Sequence, residues 1–231
     1  MAWRGLLTGA MLLFAIVCCA ADAASERNFA GPHVQVQLVS EVLVAAPGRE
    51  FTMLFEQIID DDWHTYWRNP GDSGAPPSVN WFTQKGVTVS DFSWPSPERI
   101  AYGPLMNYGY HHAVSLPVTV SVSDDFVGDT IEITVVGRVL VCADLCIPEK
   151  VSLSLSIPVG QFVLDESKRE QFTQVRARLP TTVDVIAGYT FDKEVITLKV
   201  GLPFVANHRV EQVTFFPYTP DLIDNPAPQA F

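Results

Sequence analysis

The sequence predicts an all-β protein, an antiparallel β-sandwich followed by a short linker helix and a partial second β unit. Three observations carry this. Most of the chain after residue 30 alternates apolar and polar side chains with period two, the mark of half-buried strands. No stretch before residue 160 has helical period. Near Leu164 the pattern changes to helical spacing, and alternation resumes at Val183.

The chain begins with a leader. Arg4 supplies a positive start, "GLLTGAMLLFAIVCCA" an apolar run, and "ADA" at Ala21 to Ala23 a small-residue cleavage site, so residues 1–23 read as a secretory signal peptide cut after Ala23. Cys18 and Cys19 belong to that run and leave with it. No later segment approaches 18 consecutive apolar residues, so no membrane span is expected in the mature chain. The net charge of −11, with 48% hydrophobic residues, fits a globular acidic domain and offers no basic patch for nucleic acid.

The sandwich is read over residues 28–160. "HVQVQL" puts Val34, Val36 and Leu38 on one face. "DDDWHTYWRNPGDSGAPPSVNW" (60–81) and "SWPSPERIAYGPLMNYGY" (93–110) read as turn-rich loops dense in aromatics, either functional or packed as a cap over a sheet. "AVSLPVTVSV" puts Val114, Leu116, Val118, Val120 and Val122 on one face, and Pro117, lacking an N–H, places that strand at a sheet edge or a bend. "TIEITVVGRVLV" and "VSLSLSI" are the next strands; Val151, Leu153, Leu155 and Ile157 alternate with serines. Such short strands between turn-rich stretches indicate a sandwich.

Residues 161–181 form the linker. "DESKREQFTQVRARLP" carries Phe172, Val175 and Leu179 at helical spacing, an acidic start at Asp165 and Glu166, and a stop at Pro180. Residues 182–231 hold three more alternating segments, "VDVIAGYTF", "KEVITLKVGL" and "RVEQVTFFPY". That is roughly half of the ~100 residues of an immunoglobulin-like sandwich, so the second unit is expected to be incomplete.

The chemistry concentrates in "VLVCADLCIPEK", which holds Cys142 and Cys146 in a chain expected to be exported, where disulfides persist. A bridge needs Cα atoms about 4.4 to 6.8 Å apart, whereas four residues of extended strand span about 13 Å. The segment must therefore turn, placing the cysteines at or near a hairpin tip. A ring of about five residues is a weak staple, about 2 kcal/mol against about 4.7 for a 100-residue loop. The residues leave three uses open: a redox pair, an inert bridge, or a metal ligand set. Asp144 and Glu149 disfavour a freely reactive thiolate, which suits exchange with a docked partner better.

Three motifs together resemble the N-terminal periplasmic domain of DsbD-family thiol:disulfide interchange proteins, in the ScsB-like branch linked to copper tolerance. They are "WHTYWRNPGDSG" (Trp63 to Gly74), "WPSPERIAYGPLMNYGY" (Trp94 to Tyr110) and "VCADLCIPE" (Val141 to Glu149), with "FFP" and "APQ" near the C-terminus. The resemblance implies an immunoglobulin-like sandwich whose Cys142 and Cys146 are a redox-active pair relaying electrons to oxidised partners. Implied partners are a thioredoxin-like or membrane-embedded electron donor, and periplasmic disulfide isomerases or thioredoxin-like proteins as acceptors. It implies residence in the periplasm and assigns no cofactor and no metal. Its CxxxC spacing is shorter than that of the better-known DsbD branch. Trp63, His64, Tyr66, Tyr108 and Tyr110 are the candidates to shield the pair or contact a partner. With neither a membrane domain nor a thioredoxin-like domain in this sequence, electrons are expected to arrive in trans or from further domains of a longer reductase. Two alternatives stand beside this reading: copper binding through Met106, His111 and His112 near the cysteines, or a structural immunoglobulin-like interaction domain with an inert disulfide.

Overall fold

A computed structural model describes residues 27–201 and 212–230. The leader with Cys18 and Cys19, and residues 209–211 of the last expected strand, lie outside the described residues. The strands run in the order β1 (Asn28–Ala30), β2 (Val34–Ser40), β3 (Val42–Val44), β4 (Glu50–Ile59), β5 (His64–Gly71), β6 (Ser78–Thr83) and β7 (Val87–Val89). They continue with β8 (Glu98–Tyr102), β9 (Leu105–His111), β10 (Ala113–Val122), β11 (Thr130–Cys142), β12 (Cys146–Pro158) and β13 (Val163–Leu164). A one-turn 3-10 helix (Glu166–Lys168), helix α1 (Arg169–Ala177), and strands β14 (Ala187–Asp192) and β15 (Val195–Val200) follow.

Two antiparallel sheets face each other, as the alternation predicts. One has the order β1-β2-β4-β10-β7; the other has β12-β11-β5-β9-β8, with β6 also pairing β11. The alternating apolar residues named above are all buried and meet between the sheets, with Phe51, Met53, Phe55, Ile131, Ile133 and Val135 among them. β-branched side chains suit this pleated interior and supply most of the burial that drives folding. Pro117 pairs with Leu54 of β4, and its carbonyl accepts from Ser93 N on the other side, beyond the end of the β7 ladder. The missing N–H thus falls where no strand needs it.

The aromatic stretches 60–81 and 93–110, read above as loops, are instead largely strands β5, β6, β8 and β9. Thr65, Trp67, Tyr108 and Tyr110 are good strand formers whose inward faces are buried, and this outweighs the local turn chemistry. Pro70 and Gly71 sit where β5 shifts register against β9, and Gly103 and Pro104 make the turn between β8 and β9.

The linker forms where its pattern places it. Asp165 caps the 3-10 turn, its carboxylate accepting from Ser167 N at 3.0 Å. Helix α1 is fixed to the outer side of the first sheet: Phe172 is buried, Gln171 donates to Glu56 at 3.1 Å, and Arg176 donates to Thr52 Oγ1 at 2.9 Å. Beyond it, β14 and β15 make a two-stranded hairpin with Tyr189, Phe191, Ile196 and Leu198 exposed. The strand expected over "RVEQVTFFPY" is not found in its described part: residues 212–230 hold no strand and pack against the sandwich through Phe216, Pro217 and Asn225. Trp67 and Tyr108 offer an aromatic surface on which Phe216 packs edge-on, holding this segment to the sandwich by side chains and not by strand pairing. Among the described residues, no helix is long and apolar enough to cross a membrane.

Because Phe172 is the buried anchor of α1, Phe172→Ala should lower the stability of the whole domain by about 3 kcal/mol in urea titration. An unchanged midpoint would show that the helix lies outside the cooperative unit.

Candidate functional site

The site is built by one hairpin. β11 and β12 pair without a break from Thr130↔Pro158 to Cys142↔Cys146, and Ala143, Asp144 and Leu145 turn between them, with Ala143 N donating to Leu145 O at 3.0 Å. The last pair is a disulfide with Cα atoms 4.1 Å apart. The two sulfurs live in different surroundings. Cys142 is 1% exposed and lies between Cys146 and His64 of β5, while Cys146 stands on the solvent side.

Side chains of directly opposed residues share a face. The register Cys142↔His64 and His64↔His111 therefore sets His64 beside the bridge on the outer face of the second sheet, with His111 on its far side, and Tyr66, two residues on, joins His64. Tyr66 Oη lies 3.8 Å from Cys146 Sγ and 3.2 Å from His64 Nε2. His111 Nδ1 meets the Glu98 carboxylate at 3.0 Å. From above, Tyr102 at the β8–β9 turn donates its hydroxyl to Asp144 O at 2.9 Å, so this turn rests on the tip of the cysteine hairpin.

Burial sets the protonation. His64 is held down to about 4, first by burial and then by His111, so its imidazole is neutral. Tyr66 is pushed up to about 12, first by burial and then by Tyr102, so it keeps its phenolic proton. That single proton can be given to His64 or to a sulfur.

The loop after β5 roofs this cluster. Gly74 has φ +88°, and a Cβ there would lie 2.1 Å from the Tyr66 ring; Gly71 has φ +84°, and its Cβ would lie 2.4 Å from Met106 O. Glycine is required at both for conformation and for space.

Of the residues singled out from sequence, Cys142, Cys146, His64 and Tyr66 come together. Trp63, Tyr108 and Tyr110 do not: Tyr108 and Tyr110 pack into the core on the opposite face of β9, and Trp63, just before β5, is partly buried against the core. Trp63 stacks on His33 at 3.7 Å, Tyr108 donates to Asn225 Oδ1 at 2.9 Å, and Tyr110 donates to Pro95 O at 2.8 Å. Met106, His111 and His112 are not gathered either. Met106 packs against the core, His111 faces Glu98, and His112, with φ +61°, turns to Asp61 at 3.5 Å. Among the described residues, no group of three or more His, Cys, Asp or Glu is placed to hold a metal ion. The aromatic stretch from Tyr102 to Tyr110 was a candidate to cap the pair, and Tyr102 does rest on the hairpin tip, whereas His111 against His64 was not foreseen. A Tyr-Gly-Pro turn marks Tyr102 as a hairpin end, but only the tertiary fold says what it rests on.

Chemically, the arrangement presents one attackable sulfur whose bonded partner is a buried leaving group, with a neutral phenol beside the exposed sulfur.

A family model described as "Thiol:disulfide interchange protein DsbD, N-terminal" matches residues 34–158, more than half of the chain. Among solved structures, the N-terminal periplasmic domain of ScsB from Proteus mirabilis is similar with 25% identity and a TM-score of 0.60, over 77% of this chain and 68% of that one. The reduced N-terminal domain of Neisseria meningitidis DsbD is matched at 16% identity and a TM-score of 0.31, over 56% of this chain and 90% of that one. No protein of curated function matches the chain.

The lowered His64 pKa fixes a pH dependence. The unfolded imidazole takes up a proton near 6.5 and the folded one only near 4, so the unfolded state binds more protons between these values. Stability from this group is fully present above about pH 6.5 and lost progressively as pH falls to about 4. Urea titrations across that window should show about one proton's worth of slope more in the wild type than in His64→Gln. Equal slopes would place His64 in an open, solvated site.

Proposed function

The chain belongs to the family of DsbD thiol:disulfide interchange N-terminal domains, and from that premise we propose that Cys142 and Cys146 relay electrons to oxidised periplasmic proteins. The observation that carries the reading is the asymmetry of the bridge, one sulfur buried and the other on the surface at a hairpin tip. An inert bridge has no need to present a sulfur to solvent.

In the input step a donor thiolate attacks Cys146 Sγ in line with the bridge. The Cys142–Cys146 bond breaks, and Cys142 leaves as a thiolate and is protonated. The donor's second thiolate then attacks the donor sulfur of this mixed disulfide and releases Cys146. The donor ends as a disulfide, and this domain has gained two electrons and two protons. In the output step the Cys146 thiolate attacks an acceptor disulfide. Cys142 then attacks Cys146 Sγ, restores the bridge, and frees the acceptor as a dithiol. Tyr66 keeps its proton and donates a hydrogen bond to the Cys146 sulfur when that sulfur is anionic, and neutral His64 holds the phenol in place.

The donor is a thioredoxin-like or membrane-embedded dithiol protein, and the acceptors are disulfide isomerases or thioredoxin-like proteins. Leu145, 60% exposed, and Tyr102, 41% exposed, give such a partner apolar footing beside Cys146. The same reading keeps residues 1–23 as a leader to the periplasm, 28–160 as the exchange domain and 161–181 as the linker, with the β14–β15 hairpin as the start of a second β unit and residues 212–230 packed back on the exchange domain.

Cys142→Ser leaves the exposed sulfur without its resolving partner. It should accumulate mixed disulfides with periplasmic thiol-oxidoreductases through Cys146, seen as thiol-sensitive bands and identified by mass spectrometry. Cys146→Ser should trap far less. Trapping through Cys142 alone, or by neither variant, would overturn the assignment.

A further inference from the structure

The roof over Tyr66 is held from the far end of the chain. The 216–227 segment binds the sandwich beside this loop, where Asn69 Nδ2 donates to Pro217 O at 2.8 Å and Phe216 packs on Trp67 and Tyr108. Its centre is Asn225, a polar side chain only 4% exposed and hydrogen-bonded through both Nδ2 and Oδ1. Asn225 Nδ2 donates to Asp72 Oδ1 at 2.7 Å, its Oδ1 accepts from Tyr108 Oη at 2.9 Å, and its carbonyl accepts from Arg99 Nη2 at 2.8 Å.

Asp72 passes this restraint to the loop. Its other oxygen accepts from Met106 N at 2.7 Å, and its own N–H donates to Met106 O at 3.1 Å. Ser73 follows, with N and Oγ both bound to the buried Asn107 Oδ1 at 3.1 and 2.9 Å. Gly74 then lies on the Tyr66 ring at the end bearing the hydroxyl, closer than any side chain would allow. That hydroxyl is the group nearest Cys146 Sγ among the polar neighbours described above.

We infer that Asn225 is a positioning residue for the exchanging sulfur: through Asp72 it clamps the Gly71–Gly74 loop onto Tyr66 and so fixes the phenol against Cys146. The 216–227 segment is then part of the site although it touches neither cysteine. The inference rests on Cys146 being the sulfur that exchanges. It requires two discrete consequences: loss of the Asn225 amide weakens the phenol's hold on a Cys146 thiolate, and it does so only while the phenol is present.

The test is the pH midpoint of alkylation of Cys146 in the full chain after reduction with dithiothreitol, read by mass spectrometry of the peptide that carries it. Asn225→Ala and the isosteric Asn225→Leu should raise the midpoint by about one pH unit, the size expected when a hydrogen bond to a charged acceptor is lost. Tyr66→Phe should raise it similarly, and Tyr66→Phe combined with Asn225→Leu should raise it no further. The exchanged pair Asp72→Asn/Asn225→Asp keeps one amide-to-carboxylate bond and the same net charge, and should restore the wild-type midpoint. A midpoint indifferent to Asn225, additive shifts in the double variant, or no rescue by the exchanged pair would each overturn the inference. A merely structural role would lower the melting temperature without moving the midpoint. The assay needs no redox partner, so a pair that no donor can reduce leaves this test readable, and a failed clamp leaves the exchange reading untouched.

Discussion

Register in the β11–β12 hairpin is the constraint from which the site follows. Strand side chains alternate, so with Val139 and Val141 turned into the core, Cys142 must face outward, and the unbroken pairing sets Cys146 directly opposite it. A slip of one residue would turn the cysteines inward and the valines out. The apolar alternation of Val151, Leu153, Leu155 and Ile157 opposes any slip, because their burial would be lost with it. The core therefore holds the geometry of the bridge in place, and the short ring adds little to stability. One further pair, Cys142↔His64, joins this hairpin to β5 and delivers His64 and Tyr66 to the same face.

The environment then divides the work between two chemically identical residues. Cys142 is enclosed by strands on both sides, and Cys146 ends its strand at the turn. Only the second is exposed to solvent. Burial also keeps His64 and Tyr66 uncharged, so the sulfur meets a neutral hydrogen-bond donor. A neutral donor stabilises a thiolate only modestly, and the acidic Asp144 beside it works against one.

Much of this was legible in the sequence because it is local. Period two named the core valines and leucines of β2, β10 and β12, and the Cys142–Cys146 spacing demanded a turn. The helix was legible from Asp165, Phe172 and Pro180. What was hidden is non-local. Whether an aromatic of "WHTYWRNPGDSG" faces the cysteines depends on which of its residues pairs with Cys142, and that is set by a contact 78 positions away in the chain. With His64 in that place, Tyr66 faces the bridge, while Thr65 and Trp67 turn to the core. The turn-rich reading of 60–81 and 93–110 failed for a related reason: Gly and Pro mark the strand ends and the register shift there, and the strands between them are stabilised by burial against the opposite sheet. Nothing local to "DNPAPQ" announces that Asn225 meets Asp72, since a lone asparagine among prolines reads as a loop.

Exchange through this bridge requires that it can be opened. Its reduction potential, measured by equilibration of the full chain with a thioredoxin-type redox couple, tests that claim most directly. The account predicts a value at or above about −270 mV, within reach of a thioredoxin-level donor. A value below about −300 mV, the range of structural disulfides in exported proteins, would contradict it.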